Sequence, residues 1–163
     1  MFAALSAAKR CWLGVLAVVF FATLAVPAGL AIDGGGPSAS GHANLLIADE
    51  KQTFSFHVQQ MPDGTYQGTF QVKSRGQDIT AHGVLDCLRI VGNTAHVSGV
   101  ITSGPIFGGL TYVLFTVVDN GEGAGAPPDL WSDVFVFPAP VSCNVAAAPP
   151  VAPVDEGNFQ VKP

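Results

Sequence analysis

The chain has 163 residues, 48% of them hydrophobic, with seven Lys+Arg against twelve Asp+Glu and a formal net charge of −5. Removing a leader that contains Lys9 and Arg10 leaves five basic residues against the same twelve acids, a balance of −7. Such a chain lacks the cationic surface that neutralises phosphates, which excludes nucleic acid and disfavours an anionic membrane surface.

Residues 1–31 read as a secretory signal peptide. Lys9 and Arg10 form the basic n-region, and Cys11–Val26 is a run of small and apolar residues ended by Pro27. Val26–Ala28 and Gly29–Ala31 each supply the small residues a signal peptidase needs, the second leaving Ile32 as the new terminus. The rival reading is an uncleaved anchor, since the apolar stretch lies near the lower limit for spanning a bilayer. A membrane partner follows only from that reading. Cys11 precedes the apolar run and so is not placed as a lipid-attachment cysteine.

The remainder, roughly 130 residues, is the size of one domain. Cys87 and Cys143 survive processing. Two cysteines in an exported chain commonly pair, and closing so long a loop stabilises by about 4 kcal/mol in the chain-entropy treatment. Two buried free thiols are the alternative.

Residues 32–41, with Asp33–Ser40 reading DGGGPSAS, have the composition of a flexible linker. From His42 the pattern turns to short β-like runs. Phe54, Phe56 and Val58 alternate with polar neighbours, Pro62-Asp63-Gly64 marks a turn, and Tyr66, Gly68, Phe70 and Val72 alternate in return. This predicts a hairpin. Ile79–Val91 reads as a long strand bent or bulged at Gly83. Gly92-Asn93 is a tight turn, and Thr94–Ile101 returns with Ala95, Val97, Gly99 and Ile101 on one face.

Ser103–Gly109 is a loop, Thr111–Val118 a strand covered on both faces, and Asn120–Pro128 a second loop. Leu130–Phe137 reads as one strand carrying Trp131, Phe135 and Phe137. Pro138–Pro153 is Pro/Ala-rich and cannot be helical. Gly157–Val161, in a closing segment 157–162, reads as a strand that pairs with His42–Ala48 and closes the sheet, with a disordered tail as the alternative. The predicted fold is all-β: one small antiparallel barrel of seven or eight strands, meander-like, over residues 42–163.

The runs Thr53–Phe56 and Pro62–Thr65 resemble the opening hairpin of a group of uncharacterised exported bacterial all-β proteins. The resemblance continues through Cys87–Ala95, Val117–Gly123, Ala126–Asp129 and Gly157–Val161. It implies the fold and the export. No activity is established for the group, so it implies no chemistry.

Asp119, Asn120, Glu122 and Asp129, with Asp133 beyond them, form the most acidic stretch and make the single cofactor candidate, a Ca²⁺ loop. Their spacing is not that of an EF-hand, and turn geometry accounts for the same residues. His42, His57, His82 and His96 lack metal-ligand spacing. If Gly92-Asn93 is a two-residue turn, His96 faces Arg89, a poor neighbour for a cation. Asp78 and Asp86 read as solvated acids at strand ends, no nucleophile elbow is present, and no catalytic residue is assigned.

Phe54, Phe56, Tyr66, Phe70, Phe115, Trp131, Phe135 and Phe137 suffice to fill a small barrel, while Gly68, Gly83 and Gly99 mark strand bends or a cavity. The reading is an exported monomer acting as a non-catalytic binding or interaction module. The first alternative is a carrier with a lipocalin-like apolar cavity, and the second is a barrel enzyme of cyclase or isomerase type.

Overall fold

The computed structural model describes residues 35–47, 50–104, 109–144, 149 and 151–163. Residues 1–31, read from the sequence as a signal peptide, residues 32–34 of the expected linker, and residues 48–49, 105–108, 145–148 and 150 lie outside the described residues.

Ten strands form one antiparallel sheet curled into a half-barrel, with no helix among the described residues. They are β1 (Ser38–Ile47), β2 (Glu50–Gln60), β3 (Tyr66–Ser74), β4 (Ile79–Val91), β5 (Thr94–Ser103), β6 (Tyr112–Val118), β7 (Leu130–Trp131), β8 (Phe135–Phe137), β9 (Ala152–Pro153) and β10 (Glu156–Lys162). Strands β1 to β6 are a plain meander. β7 and β8 both add to β6, β9 adds to β7, and β10 pairs with β1.

The sheet starts four residues earlier than expected. Ser38–Gly41, expected within a flexible linker, pairs with β2 on one side and β10 on the other. The order comes from the two ladders and from burial of Ala39, outcomes that a Gly/Ser composition cannot reveal.

The hairpin turns follow their chemistry. Gly64 sits at φ 82°, and its N–H donates to Met61 O at 2.9 Å. Asp63 Oδ1 accepts from the Thr65 hydroxyl at 2.6 Å and from Thr65 N–H at 2.9 Å. These bonds, the hydroxyl's first, hold the Asp63 carboxyl below its usual range. At Gly92-Asn93 the turn has two residues, so Arg89 stands opposite His96.

Alternation puts Phe54, Phe56 and Val58 of β2, Phe70 of β3, Val97 of β5, Val113, Phe115 and Val117 of β6, Trp131 and Phe159 inside. Phe54 is the hub, edge-on to Phe115 at 5.0 Å and stacked on Trp131 at 5.1 Å between ring centroids. Strand β4 slips register at Gly83 and again at Asp86. A Cβ at Gly83 would run into the Phe70 ring and the Val100 carbonyl, so this bend needs glycine.

Leu130–Phe137 is not one strand. Ser132 N–H donates to Thr116 O at 2.9 Å, and Ser132 Oγ then takes the Thr116 N–H at 2.7 Å, where a backbone carbonyl would normally stand. The pairing resumes one residue out of step at Phe135. A one-residue bulge exchanges the faces of everything beyond it. Val134 and Val136 therefore pack toward the core. Phe135, expected in the barrel filling, is exposed, and Phe137 is half-exposed outside the core.

Candidate functional site

The acidic stretch works as a clasp on the last strand. β10 pairs with β1 as expected, but among the described residues its other edge has no backbone partner strand, so strand pairing does not close the sheet there. Side chains of the β6–β7 loop serve that edge. Asp129 is buried, and its Oδ2 accepts from Phe159 N–H at 2.6 Å while its Oδ1 accepts from Asn120 N–H at 2.8 Å. Asp119 Oδ2 accepts from Val161 N–H at 2.9 Å, and its Oδ1 from Gly121 N–H at 2.8 Å. Glu122 Oε1 takes the side-chain amides of Asn158 at 2.9 Å and Gln160 at 3.1 Å. Asn120 Nδ2 donates to Pro128 O at 2.7 Å.

The structure thus brings all four calcium-candidate residues together, with their side-chain oxygens turned to N–H donors of the chain. Among the described residues no group of three or more His, Cys, Asp or Glu side chains is arranged to hold a metal ion. The four histidines are dispersed. His42, His57 and His82 are exposed, whereas His96 is buried on the outer face with Nδ1 3.0 Å from Thr116 Oγ1. Burial pushes the His96 imidazole below its ordinary value, and the charge of Arg89 adds to the effect. Asp78 and Asp86 are exposed.

Cys87 and Cys143 form a disulfide, with Cα atoms 5.8 Å apart. The bulge at Asp86 turns Cys87 outward, and the bond pins the segment around Cys143 over the outer face of the sheet. Cys143, Ser98, Thr116 and Leu114 are all buried there. This explains why Thr111–Val118 reads as covered on both faces.

The bulge at Ser132–Val134 borders a cavity whose place the sequence reading did not locate. Toward the end of the half-barrel that carries the β3–β4 turn, the interior is not filled. A cavity of about 130 Å³ opens there. Phe70 and Val72 of β3, Ile79 and Ala81 of β4, Ile101 of β5, and Val113, Val134 and Val136 make its walls. Gln52, Ser74, Gln77 and Asp133 add the polar groups. Asp133 is the single charged residue in that lining, and it sits in the bulge itself.

Asp133 is exposed to solvent as a residue, while its carboxyl borders the apolar lining. Desolvation raises its pKa above the usual value, against the opposing hydrogen bond from Val134 N–H to Oδ1 at 2.7 Å. No described residue donates to Oδ2. Ser132-Asp133, a polar pair inside an otherwise apolar strand pattern, is the sequence signal that could have located the bulge and the site together.

No protein-family profile, curated protein sequence or solved structure matches this chain.

Proposed function

We propose that the chain is an exported binding module that holds a small, mainly apolar molecule in the cavity beside Asp133. The carrying observation is that cavity: a half-open, mainly apolar cleft with one carboxylate in its lining, in a half-barrel whose remaining interior is packed with aromatic and aliphatic side chains. Few polar groups placed on apolar walls are the usual make-up of small-ligand sites. A cavity of about 150 Å³ can take up benzene, so the ligand class is ring-sized and smaller than the lipids of lipocalin-like carriers.

Export is supported by the basic and apolar pattern of residues 1–31 and by the disulfide, which favours a non-reducing compartment. Among the described residues no helix is long and apolar enough to cross a membrane.

A second reading, a barrel enzyme of cyclase or isomerase type, draws on the raised pKa of Asp133, the direction suited to acid–base work. Titrating the purified protein with benzyl alcohol and following amide shifts tests the binding reading. Shifts at Ile101, Val113, Val134 and Val136 are expected. Shifts scattered over the surface, or none, would overturn it.

A further inference from the structure

We infer that the cavity selects a small apolar amine, its hydrocarbon or aromatic body between the valines and Phe70 and its ammonium on Asp133. The inference rests on the binding reading above and specifies its ligand.

The lining sets the argument. Its walls are neutral and mainly apolar, and Lys and Arg are absent from it. A carboxylate ligand would therefore bring its charge beside Asp133 with no cation to offset it. Such like-charge approach beside an apolar wall disfavours the pair. The neighbouring rim is acidic as well: Glu50 lies next to the cavity, its Oε2 accepting from the Ser74 hydroxyl at 3.3 Å. Lys73 and Arg75 stand nearby in sequence but are exposed and outside the lining.

The carboxylate is also held ready. Val134 N–H fixes Oδ1 at 2.7 Å, while Oδ2 has no donor among the described residues. An acceptor with an open oxygen, above an apolar enclosure, fits a ligand with N–H donors at one end and hydrocarbon at the other. Ammonium adds charge to that hydrogen bond, and charge-assisted bonds are about twice as strong as neutral ones. The amides of Gln52 and Gln77 can accept a further N–H at the same mouth.

The test is calorimetric titration of the purified protein with three probes of one shape: benzylamine, benzyl alcohol and benzoate. Benzylamine is expected to bind about tenfold tighter than benzyl alcohol, with benzoate weakest. Asp133→Asn keeps an acceptor for Val134 N–H but removes the charge, so it should bring benzylamine down to the affinity of benzyl alcohol. Val136→Trp should block all three. Ile101→Phe serves the same purpose if Val136→Trp unfolds, each variant being checked by its thermal midpoint.

Equal affinity for amine and alcohol in the unaltered protein would overturn the amine inference while leaving the cavity reading intact. So would an amine preference that survives Asp133→Asn. Failure of every probe to bind at millimolar concentration would overturn the cavity reading and this inference with it.

Discussion

Removing the Asp129 carboxylate should cost more stability than removing any exposed acid of this chain. In Asp129→Ala, the N–H groups of Phe159 and Asn120 lose their acceptor. Phe159 is fully buried and its amide lies on the β10 edge that no backbone strand among the described residues serves, so water does not readily replace the carboxylate. An orphaned donor costs about 1–3 kcal/mol, with the upper part of the range for a bond to a charged group. Two such donors, one half-exposed, give about 4 kcal/mol. For a domain of about 130 residues the unfolding entropy is roughly 0.27 kcal/mol/K, which converts the loss to a fall of about 15 °C in Tm.

Calorimetry measures that fall, and hydrogen exchange at the Phe159 amide reports the mechanism directly. Asp86→Ala, at the exposed β4 bulge, removes the same charge and should move Tm by under about 2 °C. Asp129→Asn should fall between the two, because its amide keeps one acceptor and presents N–H to the other donor. A loss for Asp129→Ala no larger than for Asp86→Ala, or Phe159 exchange unchanged, would refute the view that this carboxylate closes the seam.

Reduction of the Cys87–Cys143 bond, which spans 56 residues, should lower stability by about 4 kcal/mol in denaturant titration, and Cys87→Ser with Cys143→Ser should match it. A midpoint that does not move, with reduction verified by mass, would contradict it. His96 has a lowered folded pKa, so its contribution is complete above the ordinary value of 6.5 and is lost as pH falls through the lowered one. Urea midpoints between about pH 7 and pH 5 should therefore decline, and His96→Gln should flatten that decline.

Asp133 has the opposite sign. Its raised folded pKa gives a contribution that is full below the ordinary 3.8 and lost as pH rises through the folded value. Asp133→Asn should thus leave stability at pH 7 equal or slightly higher, and a clear destabilisation there would show that the carboxylate is structural. Gly83→Ala should cost about 2 kcal/mol or more by denaturant melt, since the Phe70 ring occupies the space of the new Cβ.

The sequence by itself determined the all-β class, the meander and the return of the last strand, because these depend on period-two alternation and on local turn chemistry. Phe54, Phe56 and Val58, the Pro62–Gly64 turn and the Gly92-Asn93 turn could all be read residue by residue. The C-terminal pairing was legible too, since Gly157–Val161 alternates after a proline-rich run and an open first strand awaited a partner. Tertiary structure decided what happens where a neighbour overrides alternation. Whether Asp119 and Asp129 face solvent, a cation or a strand edge depends on where β10 lies, some thirty residues further along the chain in the case of Asp129 and Phe159. The bulge at Ser132–Val134 turned one expected strand into two and moved Phe135 out and Val136 in. It also left a carboxylate over an unfilled end of the barrel, because a hydroxyl took the place of a carbonyl on the β6 ladder. A single-residue slip of that kind has no periodic signature, yet it fixes which side chains meet inside.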